Sequence, residues 1–346
     1  MRVTVVGGGI SGLATAARLL ADGAAVTVVA ADEPAHTTSW LAAAVWFPTH
    51  AGPPELVARW GGETFAAFEW QAGERVPGVT MRESLALYRE PPGAADWHGL
   101  VASLRSARSD ELPPGYAHGL RFRVPAIEMP LYLPWLFQHV TDAGGRFVAR
   151  RLDTLAEAWD VAPADVVVHC AGLAAGRLTG DDSVYPVRGQ IVRVPNPGVT
   201  MSVRDEAHPA GRAYVHPRSH DCILGGTLDE GRWDTEPDAA TTASILRRCA
   251  DLVPALAGAR PIEAVAGLRP GRPTVRLAVE QTDRGPVVHN YGHGGSGVTL
   301  AWGCAAAAAA LVTATTVPST TVPSTTVPSS RRDSGADDHG RGPELS

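Results

Sequence analysis

Val3-Thr4-Val5-Val6-Gly7-Gly8-Gly9-Ile10-Ser11-Gly12-Leu13 stands almost at the start of the chain, and its reading decides the fold. Val3–Val6 is a short β-branched run, Leu13–Ala21 has helix-forming composition, Gly23 supplies a stop, and Val26–Val29 is a second apolar run. Continuous apolar strands flanking one helix read as a βαβ unit, because parallel strands are covered by helices on both faces. Between strand and helix lies Gly7-x-Gly9-x-x-Gly12. Gly7 permits the tight turn, Gly9 lets backbone approach a pyrophosphate, and Gly12 allows close packing of helix on strand. The helix start at Ile10 and Ser11 then offers N–H donors and a positive dipole end to phosphates. This fingerprint reads as dinucleotide binding; a tight βα turn without a ligand is the plainer alternative.

The glycines alone do not choose between FAD and NAD(P). Asp32 lies 20 residues beyond Gly12, where an acid would bond adenosine ribose hydroxyls. Two alanines separate it from Val29, so a solvated loop carboxylate is an equal reading.

At 346 residues and 45% hydrophobic, the chain is long enough for two domains with cores of their own. A net charge of −6 with no massed Lys/Arg run argues against nucleic acid or an anionic membrane as the main partner. The four cysteines, Cys170, Cys222, Cys249 and Cys304, are scattered without metal-ligand spacing and read as reduced, buried thiols of a cytoplasmic protein; no metal is expected. The first strand begins at Arg2, leaving no room for a signal peptide. Val298–Ala314 is uncharged but mostly alanine, short of a strongly apolar span, and reads as a buried helix.

Farther along, residues 48–136 are rich in Pro and Trp with weak periodicity, and Leu131–Val140 reads as helix. Asp165–His169 is another continuous strand ending at Ala171-Gly172. Alternating segments at Gln190–Val194, Ala213–His216 and Cys222–Leu224 point to an antiparallel sheet, and Ala240–Leu256 to a helix. The expected fold is therefore α/β plus α+β. A Rossmann-type FAD-binding domain built from 1–47, 137–175 and 271–314 carries an inserted antiparallel-sheet substrate domain, 48–136 and 176–270. From Thr315 on, Thr-Thr-Val-Pro-Ser occurs three times before a charged end, and 315–346 reads as a disordered tail.

The most specific segment is Val288-His289-Asn290-Tyr291-Gly292-His293-Gly294-Gly295-Ser296-Gly297-Val298-Thr299. It reads as a strand, a loop of small residues and a helix start. Glycines at 294, 295 and 297 let backbone lie flat against a planar ring. The helix start near Thr299 would put positive potential beside the edge of a flavin that becomes anionic on reduction.

This segment resembles the signature of the D-amino-acid oxidase family, which includes D-aspartate oxidase. So do Thr37-Thr38, Ala42-Ala43-Ala44-Val45-Trp46, Cys170-Ala171-Gly172, Arg188-Gly189-Gln190-Ile191, Tyr214-Val215-His216-Pro217, Leu224-Gly225-Gly226 and Gly267-Leu268-Arg269-Pro270. The likeness spans about 1–314. It implies FAD, held by Gly7, Gly9, Ile10, Ser11, Gly12, Asp32, Thr37, Thr38, Gly172 and Gly294 to Thr299 (Gly294, Gly295, Ser296, Gly297, Val298, Thr299). It also implies oxidation of D-amino acids by hydride transfer to FAD N5, reoxidation by O2 to hydrogen peroxide, and release of 2-oxo acid and ammonia. Arg269 matches the guanidinium that grips the substrate carboxylate, Tyr214 the phenol that also contacts it, and Gly295 the carbonyl that accepts from the amine. His289 resembles a histidine near the flavin, in a structural hydrogen-bonding role. The family pattern also admits a homodimer.

Two positions depart from the pattern. A second active-site tyrosine expected four residues before Tyr214 is Ala210, and an aromatic after Trp46-Phe47-Pro48 is Thr49. Arg212, Tyr214 and His216 would share a strand face. His216 is therefore a candidate substrate contact and acidic side chains would be tolerated, unless Arg212 and His216 merely flank the cavity in solvent. D-aspartate oxidase and glycine or sarcosine oxidation are the neighbouring readings. An NAD(P)-dependent dehydrogenase or a non-catalytic flavoprotein are readings of other classes.

Overall fold

A computed structural model describes residues 1–48 and 51–316, and Met1–Thr316 forms one compact unit. Its first sheet has six strands in the order Arg276–Thr282, Gly285–Tyr291, Val166–His169, Arg2–Val6, Ala25–Ala30 and Arg146–Ala149. All neighbours are parallel except the Arg276–Thr282/Gly285–Tyr291 hairpin. Period-two alternation splits the valines between two cores. Val3, Val5, Val26, Val28, Val166, Val168 and Val288 face helices Ile10–Ala21, Met129–Asp142 and Gly297–Thr316. Val6, Val29, Val167 and Val287 face Leu152, Leu155 and Ala158 on the other side.

The second sheet has nine strands and is mostly antiparallel. Tyr185–Pro195 pairs with Asp221–Gly225, Glu263–Gly271 and Asp229–Glu230. Asp221–Gly225 pairs with Ala213–Pro217, which pairs with Ser202–Asp205. The sheet continues through Val79–Tyr88, parallel to Ser202–Asp205, into His118–Ile127 and Arg105–Ser106. Helix Ala239–Leu252 covers one face through Ile245 and Cys249, which pack on Val192, Val215 and Leu224.

Three expectations are corrected. The stretch 48–136, read as weakly periodic, holds a 20-residue helix, Pro54–Gly73, and two 10-residue strands, Val79–Tyr88 and His118–Ile127. The helix buries Gly61, Thr64 and Gln71 alongside Val57, Trp60 and Phe68, so half its buried face is not apolar and the pattern is weak. Second, the alanine-rich segment is not short: Gly294–Thr315 is 22 residues with mean hydropathy 1.7, long and apolar enough to cross a membrane by length and composition. Helix packing accounts for that composition. Ala301, Ala305, Ala308 and Ala309 are buried in the core shared with Ala14, Ala16 and Ala17 of helix Ile10–Ala21. A Cβ at Gly303 would collide with the backbone of Trp60, while Gly303 N–H donates to Thr64 Oγ1 at 2.9 Å. Small residues let these backbones touch. Third, the helix runs through Thr316, two residues into the segment read as tail, with Thr315 Oγ1 donating to the Val312 carbonyl at 2.7 Å. The rest of the expected tail, and Thr49, lie outside the described residues.

Candidate active site

A cavity of about 490 Å3 runs from the N-terminal glycines to the second sheet. At its first end, Gly7 adopts φ +123°, and a Cβ there would strike the Cys170 carbonyl. Gly12 does not line the cavity; its missing Cβ lets helix Ile10–Ala21 rest on the Gly7 carbonyl. Ile10 N–H, one of the unpaired donors of the first helical turn, reaches Ser39 Oγ at 3.0 Å. Gly9, Ile10 and Ser11 form the wall here with Thr37, Thr38 and Gly172. The Thr37 hydroxyl donates to Pro34 O at 2.8 Å and the Thr38 hydroxyl to Leu268 O at 3.1 Å, so Thr38 ties this wall to the strand bearing Arg269. Asp32 lines the cavity beyond the strand end, 53% exposed and 3.8 Å from Arg151.

The glycine loop closes the middle. Gly294, Gly295, Gly297, Val298 and Thr299 line the cavity, and helix Gly297–Thr316 begins there with its N-terminal N–H groups facing in. Ser296 is the exception: it is buried, outside the cavity wall, with its N–H bonded to the His293 carbonyl at 2.9 Å.

At the far end, Arg269 and Tyr214 project from neighbouring parts of the second sheet. Gly267 pairs with Gly189 and Arg269 with Val187, and the Arg269 side chain folds back over Gly189, where any Cβ would fall within the guanidinium. One nitrogen, Nη1, donates to the Thr227 carbonyl at 3.1 Å, and Arg269 has no ion pair among the described residues. Tyr214 pairs with Gly225, and its ring lies where side chains at Gly225 and Gly226 would be. Burial holds the phenol above its ordinary pKa, although the Arg269 charge pulls it down, so it is a donor at neutral pH. His216 stacks on Tyr214 with centroids 4.8 Å apart and lines the cavity. Burial, then the Arg204 charge, pushes His216 well below its usual value, and its buried Nδ1 has no hydrogen-bond partner among the described residues.

Sequence reasoning missed Arg204, Glu206 and Ser39. Arg204 sits opposite Tyr214 in the sheet register, 5% exposed, with its guanidinium 3.9 Å from the Phe47 ring centroid. No carboxylate pairs with it among the described residues. Arg212 is bonded to Glu206 at 2.8 Å, so that pair is close to neutral. A charged residue inside the strand-like Ser202–Asp205 was the available signal for Arg204, and a third hydroxyl after Thr37-Thr38 the signal for Ser39.

His289 lies outside the cavity wall, as a structural role requires. Its Nε2 meets Glu280 at 2.9 Å and its Nδ1 meets His169 Nδ1 at 3.3 Å. The Glu280 carboxylate accepts, so neutral His289 carries its proton on Nε2 and His169 donates from Nδ1.

The sequence family described as FAD dependent oxidoreductase matches residues 2–311. The chain belongs to that family. Among relatives of this oxidoreductase, a D-amino-acid oxidase of Rubrobacter xylanophilus is 52% identical over 315 residues, 90% of this chain and 96% of the relative. The human D-aspartate oxidase is 37% identical over 331 residues, 90% of this chain and 94% of the relative. A solved glycine oxidase from Geobacillus kaustophilus shares the fold, with TM-score 0.75 at 21% identity, covering 92% of this chain and 96% of the other. FAD is the cofactor of this oxidoreductase, and the residues present fit it. The glycine cradle leaves backbone bare at Gly7 and Gly9, a helix start offers N–H donors, and the cavity is continuous from there to Gly295.

Proposed function

We propose that this chain is a D-amino-acid oxidase, with Arg269 as the carboxylate anchor. One observation carries the reading: an arginine without any ion pair among the described residues, moulded onto Gly189, stands beside the flavin loop, 3.6 Å from where a Gly295 Cβ would be. Arginine presents a planar fork that fits a carboxylate bidentately and stays charged. The Tyr214 hydroxyl donates a further bond to the same carboxylate, and the Gly295 carbonyl accepts from the substrate amine. Bound FAD supplies the hydride acceptor and, through reoxidation by O2, hydrogen peroxide. The chain itself holds the substrate so that the α-hydrogen faces that acceptor, an orientation effect that needs no side-chain base. The imino acid then hydrolyses to 2-oxo acid and ammonia. The relatives named D-amino-acid oxidase and D-aspartate oxidase support this assignment. A peroxide-coupled screen over D-amino acids, L-amino acids and glycine tests it: turnover is expected with the D-series, and preference for glycine or the L-series overturns it.

A specific observation favours a second reading, oxidation of acidic D-amino acids. Arg204 is a buried cation without a carboxylate partner among the described residues, facing the same cavity as Arg269. Burying an unpaired charge is costly, and a second carboxylate on the substrate would offset that cost. Comparing kcat/KM for D-aspartate and D-alanine separates the readings; a strong preference for D-alanine ends the acidic one.

The same reading has the protein cytoplasmic, acting on small molecules rather than nucleic acid or membrane, and homodimeric. Four free, buried cysteines support the reducing compartment. Sedimentation of the purified holoenzyme checks the dimer.

A further inference from the structure

Asp181 is a cavity neighbour that no step above uses. It follows helix Ala175–Thr179, and its carboxylate is only 12% exposed. Oδ2 accepts from Arg272 Nε at 3.1 Å and from the Tyr291 hydroxyl at 2.8 Å, while Oδ1 accepts from Ser183 N at 3.1 Å and from the Ser183 hydroxyl. Tyr291 in turn accepts from Arg276 Nη1 at 2.7 Å. These hydrogen bonds hold the Asp181 carboxyl well below the usual carboxylate range, against the opposing effect of burial.

The two partners on Oδ2 belong to the two halves of the proposed site. Arg272 stands three residues after Arg269, just past the end of strand Glu263–Gly271. Tyr291 ends strand Gly285–Tyr291 and leads directly into the glycine loop that carries Gly295. Arg272 also packs on that loop: a Cβ at Gly292 would lie 2.8 Å from its Cβ and Cδ. One carboxylate oxygen therefore clamps the substrate-anchor strand to the flavin loop at the point where both leave their sheets.

We propose that Asp181 is a positioning residue that sets the separation between the Arg269 guanidinium and the Gly295 carbonyl, and so the placement of the substrate α-hydrogen. The inference rests on the reading of Arg269 and Gly295 given above. Neither strand alone fixes that separation, because Arg269 and Gly295 belong to different sheets. A misplacement of about 1 Å costs on the order of 100-fold in rate. A charge-bearing buried clamp suits the task, because breaking one side of it leaves a buried charge unpaired.

The test uses holoenzyme carrying Asp181→Asn, with Asp181→Glu as the conservative variant and Arg269→Leu as the control. Three quantities are read: the rate of anaerobic flavin bleaching at saturating D-amino acid, the Kd of the 2-oxo acid product, and the Kd of FAD from its fluorescence. Asp181→Asn is expected to slow bleaching about tenfold or more and to weaken 2-oxo acid binding about tenfold, with FAD affinity changed less than about threefold. Asp181→Glu should recover part of the rate. Bleaching and 2-oxo acid binding within about twofold of the native protein overturn the proposal, even if thermal stability falls. Should Asp181→Asn fail to fold, Arg272→Gln takes its place with the same readouts; failure of both to fold makes Asp181 structural and also overturns it. If Arg269→Leu binds the 2-oxo acid normally, the reading of the cavity fails instead. If Arg269→Leu loses the ligand and Asp181→Asn does not, only the positioning role fails.

Discussion

The guanidinium of Arg269 lies on the backbone of Gly189, a residue 80 positions earlier, because strands Glu263–Gly271 and Tyr185–Pro195 pair with Gly267 opposite Gly189. The seat is specific for glycine through contact alone, since the first side-chain carbon of any other residue would occupy guanidinium space.

Gly189→Ala is therefore expected to lift Arg269 off its seat without touching the cofactor end. Losing the geometry of a charged hydrogen bond costs about 1.5–3 kcal/mol, on the order of 10–100-fold in kcat/KM for the D-amino acid. FAD affinity should hold. Steady-state kinetics with a parallel FAD titration check it.

Tyr214→Phe removes one donor from the same carboxylate and leaves the ring on Gly225 and Gly226. A fall in kcat/KM of about 10-fold or more is expected, carried mainly by KM, since a bond to the carboxylate is made equally in ground and transition states. Stability should scarcely change, because the packed ring is retained. Unchanged KM would argue against the hydroxyl as a contact.

Arg204→Leu should separate substrate binding from stability. Removing a buried cation that lacks a counter-ion leaves thermal stability equal or higher. If the acidic reading holds, the kcat/KM ratio of D-aspartate to D-alanine falls by on the order of 100-fold. Melting curves and the two substrates, measured on one preparation, give both results.

Acid should destabilise this fold through buried histidines before its carboxylates titrate. Burial lowers His169 to about 3 and His293 to about 4 from a model-peptide value of 6.5. A histidine kept neutral in the folded state contributes fully above about 6.5 and loses that contribution as pH falls toward its folded value, because the unfolded chain binds the extra protons. Between pH about 6.5 and 4.5 the melting temperature should drop steadily, and His169→Gln should flatten the slope. An equal slope in that variant would place the acid sensitivity elsewhere. Gln can still donate to His289 Nδ1, so the variant preserves the one bond His169 makes to it.

Local pattern determined much of this protein. The run Val3–Gly12 carries its own strand, turn and helix start, and the glycines of 292–297 carry a loop that must lie flat, because backbone freedom and burial periodicity are properties of neighbouring residues. Arg269 and Tyr214 were legible too, through the short motifs that hold them. Helix Pro54–Gly73 was not, since its inward face buries Gly61, Thr64 and Gln71 beside aromatic residues, and polar or small residues blur the period. Only the tertiary structure decided what stands against those motifs. Gly189 lies under Arg269, Arg204 beside Tyr214, and Asp181 between Arg272 and Tyr291 because strands distant in sequence meet in one register. That register is set by how whole sheets bury their faces, and no window along the chain contains it.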